Sequence, residues 1–520
     1  MNRLRRFMLN GLLMAAVSIL IRTVSVAFNV YVSNKIGAVA MGLFSLITTV
    51  YGFGITLATS GINLATTRLI AQVIGDDNEA SATDEKYKQS KIRTVLRQCV
   101  LYSLFFATLA TAILLIFAEN IGIHVLRDER TVSSLKVLAL TFIPISLCSV
   151  FSGYFSSVRK VYKNALTQIT GQGARIFACI FLFSYIGAAD VETACLCVVC
   201  GGAVSEFFSF ILSYIFFLAG RKKCTEKLGY GEKQRSFKHL LSNALPLALS
   251  AYMRSALVTV EHVLIPVGLQ KSGSSRDTSL AAYGTVSSMV FPLVLFPSAI
   301  TASFAGLLIP EIAGSYEVGD DRRICGIISS VMDTVLMFSI GCAGIMMSFS
   351  YELAREIYPT SLDAGKYIAM ISPLIPVMYL DTAVDSMLKG LGEHVYSMGV
   401  NIADALISVI LVWVLLPRLG IYGYIVTVYF TELINAALSI ARLLIKSGVK
   451  TRVFLWVGRP ILCIIGATKL AHWVFDTLLL NGVYVQISVA VIIYVLLLTL
   501  FGGIKPRQIA NSLRYMRLVK

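Results

Sequence analysis

Residues 15–37 read AAVSILIRTVSVAFNVYVSNKIG, an apolar run that carries a single arginine, Arg22, among its hydrophobic residues. A helix that crosses a hydrocarbon core about 30 Å thick needs roughly 20 apolar residues. A guanidinium at that depth costs roughly 2.5 to 3.5 kcal/mol even on the most lenient insertion scale, so such residues face a protein interior or a watery cavity. The stretch therefore predicts a membrane helix with a functional residue on it.

The composition extends this prediction to the whole chain. Of the 520 residues, 56% are apolar and 14% are charged, and the mean hydropathy is +0.76. We expect an all-α polytopic membrane protein with about fourteen transmembrane helices. The predicted spans lie at approximately 8–34, 40–72, 94–118, 132–157, 163–187, 192–219, 241–268, 280–314, 324–349, 363–390, 395–416, 420–445, 454–478 and 483–503.

The distribution of Lys and Arg predicts the orientation, because cytoplasmic loops carry the excess of these residues. With the N-terminus inside, the inner segments hold 28 of them and the outer segments hold 7. This contrast predicts a multi-pass protein of the bacterial cytoplasmic membrane with both termini in the cytoplasm. The net charge of +16 then reflects inner loops that face anionic membrane lipids, and it does not indicate nucleic-acid binding.

An internal repeat relates the two halves of the chain. Residues 247–268 read LALSAYMRSALVTVEHVLIPVG and superpose on the first span with an offset of 232. The offset places Arg254 on Arg22 and Glu261 on Asn29. Because both copies share one orientation, we expect an axis along the membrane normal with a site between the halves. The predicted domains are a six-helix bundle at 1–219, a linker at 220–239, a second bundle at 240–445, and two further helices with a basic tail at 446–520.

The stretch that follows resembles a known family. Residues 33–72 read SNKIGAVAMGLFSLITTVYGFGITLATSGINLATTRLIAQ and look like the opening of the stage V sporulation protein B-like polysaccharide flippases of the MOP exporter superfamily. The segments SMLKGLGE at 386–393 and LPRLGIYGY at 416–424 agree with it. The resemblance implies two pseudo-symmetric six-helix bundles around a central cavity, which alternates between inward-open and outward-open states.

The resemblance also implies a cargo. That cargo is an undecaprenyl-pyrophosphate-linked saccharide, with lipid II of peptidoglycan favoured, used in cell-wall or spore-cortex synthesis and handed to cell-wall synthesis proteins. Arg22 matches the first-span arginine that the family places in its cavity, whereas Arg254 is supported by the repeat. Lipid II flippases of the MurJ type carry further cavity arginines on spans two and eight, where this chain has only Arg68, at the inner end of span two. The predicted substrate-binding residues are Arg22, Arg254, Glu261, Asn29 and Arg68.

Three of these residues have alternative interpretations. Arg68 lies close to the cytoplasmic interface and could simply extend its charge to it. Arg22 could instead be a buried arginine that bonds to carbonyls and fixes helix packing. Glu261 lies seven residues, two helical turns, beyond Arg254 on the same face. It would pair with an arginine until cargo arrives, carry a proton, or form a permanent salt bridge.

Acidic residues in the second half predict cation coupling. Asp333, Asp381 and Asp404 each lie about nine residues from the cytoplasmic end of a span, and Glu432 lies about one turn deeper. Carboxylate and amide oxygens suit Na⁺, and protonation of a carboxylate suits H⁺ coupling. MurJ-type proteins place a sodium site among spans seven, eleven and twelve, which here offer Asn401, Asp404 and Thr431 besides Glu261. The alternative is that local hydroxyls satisfy each acid.

No catalytic residue is predicted, and the chain is not expected to be an enzyme. The phosphate-binding loop Gly-x-x-x-x-Gly-Lys-Ser/Thr does not occur in the sequence. Cys195, Cys197 and Cys200 lie within one span without a His or an acid beside them, so no firm metal site and no cofactor is expected. Two other functions stay open: a cation-coupled multidrug exporter of the same superfamily, and a non-transporting scaffold for envelope assembly.

Overall fold

The computed structural model describes residues 3–75, 82–187, 190–220, 230–449, 451–478 and 482–502. Within these ranges every regular element is a helix, and no strand is found. Long apolar segments adopt helices because the helix satisfies each backbone N–H and C=O internally, where lipid offers no partner. The all-α prediction is confirmed.

Contacts group the chain into two compact units. The middle unit contains Val39–Val267, and the split unit contains Met1–Ala38 together with Gly268–Lys520. These divisions differ from the bundle boundaries expected near residues 219 and 240. The division into bundles at 1–219 and 240–445, followed by 446–520, stays a prediction.

The middle unit contains helices α2 to α7 and parts of α1 and α8. They are α1 (Arg3–Thr59, which begins in the split unit), α2 (Ile62–Gly75), α3 (Ala82–Asn120), α4 (Val132–Ala139), α5 (Phe142–Ser157), α6 (Val161–Tyr185), α7 (Val191–Gly220) and α8 (Tyr230–Lys271, which ends in the split unit). Short helical turns at Ile121–Val125 and Glu129–Thr131 join α3 to α4.

The split unit contains the remaining helices. They are α9 (Arg276–Gly284), α10 (Phe291–Val294), α11 (Ser298–Glu317), α12 (Asp321–Ser348), α13 (Ser350–Ile357), α14 (Ala364–Ile371), α15 (Ile375–Gly390), α16 (His394–Leu419), α17 (Ile421–Ser447), α18 (Arg459–Leu478) and α19 (Val483–Leu500). Short helical turns lie at Thr285–Val290, Ser372–Leu374 and Phe454–Gly458.

The number of spans differs from the prediction. In the described ranges, 11 helices are long and apolar enough to cross a membrane, or 12 if the bent pair Glu129–Ala139 and Phe142–Ser157 forms one span. Fourteen spans are not confirmed. One reason is that Ala16–Ile74 counts as a single stretch of 59 residues, although the sequence predicts two spans there. A second is that α8, which contains the predicted span 241–268, is not among the candidate spans found in the described ranges.

The core of the middle unit lies where α2, α3 and α5 meet. Ile62 and Ile70 of α2 and Val150 of α5 are fully buried in one cluster with residues of α3. Gly153 allows α5 to approach α2 closely, because a Cβ at this position would lie 2.6 Å from the backbone oxygen of Asn63. Small residues at helix contacts let backbones come together in membrane proteins. Gly153 thus sets the distance between these helices.

The hairpin of α18 and α19 packs on α12 in the split unit through two glycines. A Cβ at Gly341 would lie 2.5 Å from the Tyr494 ring, and one at Gly344 would lie 2.3 Å from the Ile464 side chain. The Tyr494 hydroxyl donates to the Met337 carbonyl at 2.7 Å. The two C-terminal helices are therefore attached to α12 by close packing and by a hydrogen bond.

An ionic cluster fastens the start of α16 to the end of α17. Glu393 accepts from Arg442 through Nε at 3.1 Å and Nη2 at 2.9 Å, and its other oxygen lies 2.8 Å from Lys446 Nζ. Arg442 also stacks over the Tyr396 ring, 5.0 Å from its centroid. Hydrogen bonds from Lys446 and Arg442 lower the pKa of the Glu393 carboxyl below its ordinary value.

We expect Glu393→Gln to lower the melting temperature by several degrees at neutral pH and to have little effect at acid pH. A carboxyl with a depressed pKa stabilises the fold above its unfolded-state pKa, and this stabilisation is lost as the pH falls through the folded-state pKa. Thermal unfolding in detergent from pH 7 to pH 3 measures the difference between variant and wild type. Glu352→Gln, on an exposed position of α13, is the control and should not change the melting temperature. A constant difference across this pH range would contradict the proposed role of the charge.

Candidate functional site

Arg22 lies on α1 in the split unit with its side chain exposed. Within the part of the chain that the structure describes, its guanidinium has no hydrogen bond or ion pair. It lies within electrostatic range of the Tyr379 hydroxyl on α15. This geometry disagrees with the alternative in which Arg22 bonds to carbonyls and fixes packing. A charge in an apolar helix therefore remains available to an anion.

Two asparagines, not Arg22, attach α1 to the split unit. The Asn29 side-chain nitrogen donates to the Ser288 carbonyl at 2.7 Å, and that of Asn34 donates to the Ile357 carbonyl at 2.8 Å. Asn29 is predicted to bind substrate, but its donor group is used within the protein. Its substrate contact stays a prediction.

Arg254 lies on α8 in the middle unit and is also exposed. Among the described residues it makes no hydrogen bond or ion pair. Glu261 is half-buried two turns further along α8 and has polar interactions of its own. Arg254 thus does not pair with Glu261 in this structure, and pairing of Glu261 with an arginine stays a prediction. That Arg22 and Arg254 line one cleft stays a prediction.

Arg68 is exposed on α2, next to Leu69 and Ile70, which are buried in the core of the middle unit. An exposed arginine beside buried residues suits a side chain that extends away from the core along the helix surface. Substrate contact by Arg68 stays a prediction.

Asp333, one of the four acids predicted to couple a cation, has a basic partner that the sequence prediction missed. Arg459 at the start of α18 lies 3.5 Å from it, with 11% of the arginine side chain and 33% of the aspartate side chain exposed. The same guanidinium donates to the Gly502 carbonyl at the end of α19 at 3.3 Å. Arg459 thus links α18 to α12 through Asp333, and the role of Asp333 in cation coupling stays a prediction.

The other predicted cation-coupling residues lie on three neighbouring helices. Asp381, Asp404 and Glu432 are half-buried, and each has polar interactions. Asn401 donates to Ser397 O at 2.8 Å, and Thr431 donates to Thr427 O at 3.0 Å, so their donors serve their own helices. In the described ranges no three His, Cys, Asp or Glu side chains come together as a metal site. A coupling cation at these residues stays a prediction.

The cysteines of α7 are free thiols. Cys195 donates to the Ala40 carbonyl at 3.2 Å, and Cys197 is buried. A further cysteine, Cys179 of α6, lies where α6 packs closely on α7, because a Cβ at Gly201 would lie 2.1 Å from its Sγ. These residues act as small apolar side chains in a helix contact.

Comparison with known proteins gives the family. Residues 8–314 match the model of the family described as "Polysaccharide biosynthesis protein". The sporulation protein YkvU of Bacillus subtilis (strain 168) is 19% identical over 459 residues, which cover 88% of this chain and 98% of that protein. The lipid II flippase MurJ of the same organism is 20% identical over 482 residues, covering 87% of this chain and 86% of MurJ.

Solved structures share the fold. A lipid II flippase MurJ in an inward closed conformation superposes with a TM-score of 0.64 at 14% identity, covering 94% of this chain and 98% of that one. An inward-facing multidrug resistance MATE transporter of the MOP superfamily gives 0.62 at 15% identity, covering 84% and 100%. These proteins are transporters and flippases, not enzymes. The chain therefore belongs to the polysaccharide biosynthesis protein family and is a multi-span membrane protein with the fold of the MOP superfamily.

Proposed function

We propose that the chain moves an anionic, lipid-linked saccharide across the cytoplasmic membrane by alternating access, with both termini in the cytoplasm. The observation that carries this proposal is that Arg22 and Arg254 are exposed on apolar helices and have no ion pair among the described residues. An unpaired arginine in a membrane helix is expensive, and such residues mark substrate pathways. A cation that is kept at this cost and left unpaired indicates an anionic ligand.

The chemistry of the guanidinium favours a pyrophosphate as that ligand. Its planar arrangement of donors forms two parallel hydrogen bonds to phosphate oxygens, and these charge-assisted bonds are about twice as strong as neutral ones. An undecaprenyl-pyrophosphate saccharide provides such a headgroup together with a lipid tail that stays in the bilayer. A lipid II-like peptidoglycan precursor is our favoured cargo, since a relative is named as a lipid II flippase. A relative named as a sporulation protein is consistent with use in the spore cortex, where cell-wall synthesis proteins would receive the product.

Cation coupling is the energy source that we propose. The chain lacks a nucleotide-binding loop, so an ion gradient would drive the movement. The predicted set of residues would hold Na⁺ or exchange H⁺. It consists of Asp404, Asn401 and Thr431, together with Glu432, which follows Thr431 in the sequence, and Asp381, which is predicted at a similar depth. Asp333 completes the predicted set; Arg459 lies 3.5 Å from it, so a cation bound there would compete with the guanidinium.

A cation-coupled multidrug exporter is the second candidate, and the similarity to MATE transporters favours it. An exporter of cationic drugs requires acidic groups along its pathway. Arg22 and Arg254 would repel such cargo, so the exposed arginines favour the flippase. A scaffold that transports nothing would have no use for either arginine.

The test is made in cells that are depleted of their native lipid II flippase and supplied with this chain. We expect lipid II to become accessible to an external probe at close to the normal level. A matched strain that makes a lipid-linked capsule precursor shows which of the two lipid-linked saccharides the chain moves. Failure to restore lipid II exposure, with movement of the capsule precursor instead, would exclude lipid II but retain an anionic lipid-linked saccharide.

A further inference from the structure

The second predicted span, 40–72, is broken near its middle. Helix α1 ends at Thr59 and α2 begins at Ile62. Between them Ser60 has a φ of 46° and Gly61 a φ of 70°, both in the left-handed region. A serine adopts this conformation only when the surroundings hold it there, because it strains the backbone. The break is therefore a feature that other side chains maintain.

Hydroxyl groups from three other helices satisfy the backbone at the break. The carbonyls of Leu57, Ala58 and Ser60 accept hydrogen bonds there. The donors are Tyr252 of α8 to Leu57 at 3.4 Å, Ser146 of α5 to Ala58 at 2.8 Å and Tyr102 of α3 to Ser60 at 3.4 Å. A membrane span can be broken when neighbouring helices donate hydrogen bonds to the freed carbonyls in this way, because lipid has no donors for them.

The Ser60 hydroxyl connects two of these tyrosines. Tyr252 donates to Ser60 Oγ at 2.6 Å, and Ser60 Oγ lies 2.8 Å from the Tyr102 hydroxyl. Ser60 is fully buried. The hydroxyl of Tyr252 thus attaches α8 to a fixed point of the middle unit.

Tyr252 lies two residues before Arg254. Residues two apart on a helix are about 200° apart around its axis, so they occupy nearly opposite faces. Tyr252 is half-buried against the break, whereas Arg254 is exposed. Fixing the Tyr252 face of α8 therefore fixes the direction in which the arginine points.

We propose that Tyr252 is a positioning residue: its hydroxyl anchors α8 to the break at Ser60 and so holds the Arg254 guanidinium where it binds the pyrophosphate headgroup. This inference rests on the proposed function. It concerns orientation only, because the hydroxyl of Tyr252 bonds to Leu57 and Ser60 of the protein.

The test measures binding of radiolabelled undecaprenyl pyrophosphate to the full chain in nanodiscs. Arg254→Gln should weaken binding about tenfold or more, as expected for loss of hydrogen bonds to a charged group. Tyr252→Phe removes one hydroxyl and should weaken binding about 5-fold. Adding Tyr252→Phe to Arg254→Gln should have no further effect, because a residue that acts through another loses its influence when that other residue is removed. Tyr214→Phe is the matched control, since it removes the hydroxyl of a partly exposed tyrosine on α7 that takes no part in the hydrogen bonds at the break; binding should stay unchanged.

A second measurement does not depend on the ligand. A cysteine is placed at the arginine position by Arg254→Cys, and its reaction rate with a water-soluble thiol reagent is measured after correction for the native cysteines. Adding Tyr252→Phe should change this rate about threefold or more, which is more than two independent substitutions would give. Tyr214→Phe should leave the rate unchanged.

The outcomes separate two kinds of failure. Equal weakening by Tyr252→Phe with and without Arg254, an equal effect of Tyr214→Phe, or an unchanged labelling rate would each overturn the positioning role. Absence of binding by the wild type, with the labelling rate shifted as expected, would instead overturn the pyrophosphate cargo and leave the anchoring of α8 by Tyr252 supported.

Discussion

Arg22→Gln should reduce the exposure of lipid II in flippase-depleted cells by about 10-fold to 100-fold. The side chain keeps a similar length, but it loses the charge and the paired donors, and a hydrogen bond to a charged group contributes about 1.5 to 3 kcal/mol. No described residue compensates this charge in the structure, so removing it should not destabilise the fold. The expected signature is loss of transport at a normal melting temperature and normal membrane level.

Two further variants sharpen this prediction. Arg22→Lys keeps the charge but loses the two parallel donors, so it should restore only part of the activity. Arg355→Gln removes an exposed arginine from α13, outside the predicted site, and should transport as the wild type does. If Arg22→Gln lowers the melting temperature as strongly as it lowers transport, the arginine has a structural role.

Gly153→Ala should destabilise the chain by about 1 to 3 kcal/mol, the usual effect of overpacking. The added methyl group would lie 2.6 Å from the backbone oxygen of Asn63 and 3.0 Å from Thr66 Cβ. A backbone atom cannot rotate away as a side chain can, so α5 must move from α2. That movement would also weaken the hydrogen bond from Thr67 to the Gly153 carbonyl, which is 3.2 Å long.

Gly202→Ala is the matched control for this prediction. Gly202 lies inside α7, and a Cβ there meets no atom within 4 Å. Alanine in a helix interior is more stable than glycine by roughly 0.5 to 1 kcal/mol. The two substitutions should therefore shift the melting temperature in opposite directions in thermal unfolding. A neutral Gly153→Ala would show that the contact between α5 and α2 is looser than the structure indicates.

The sequence predicts the helical class well but not where helices break. Apolar runs and the cost of unpaired backbone groups in lipid are enough to predict a polytopic helical protein. A hydropathy pattern records how apolar a run is and not whether it is straight. The break at Ser60 and Gly61, and the 43° bend between α4 and α5, lie inside apolar runs and are held by residues distant in sequence. The predicted number of spans differs from the number of candidate spans in the structure for the same reason.

Residue chemistry predicts part of the candidate site. Arg22 and Arg254 stand out in the sequence because each is a charge in an apolar run, and the structure leaves both exposed. Asp333 stands out in the same way, but its partner Arg459 lies 126 residues away, and depth alone cannot pair the two. The sequence does contain one indication of this pair, because Arg459 is also a charge inside a predicted span, 454–478. The contact from Tyr252 to Ser60 joins residues 192 apart and has no such signal, because neither residue is charged.

The central claim is that unpaired arginines carry an anionic lipid-linked saccharide, and reconstituted vesicles test it most directly. The full chain is placed in liposomes with a fluorescent undecaprenyl-pyrophosphate saccharide, and a membrane-impermeant quencher reports its movement between leaflets. Wild type should move the lipid, Arg22→Gln and Arg254→Gln should each slow it about tenfold or more, and a cationic drug should not be moved. Full movement of the lipid by both arginine variants, or movement of the cationic drug alone, would contradict the claim.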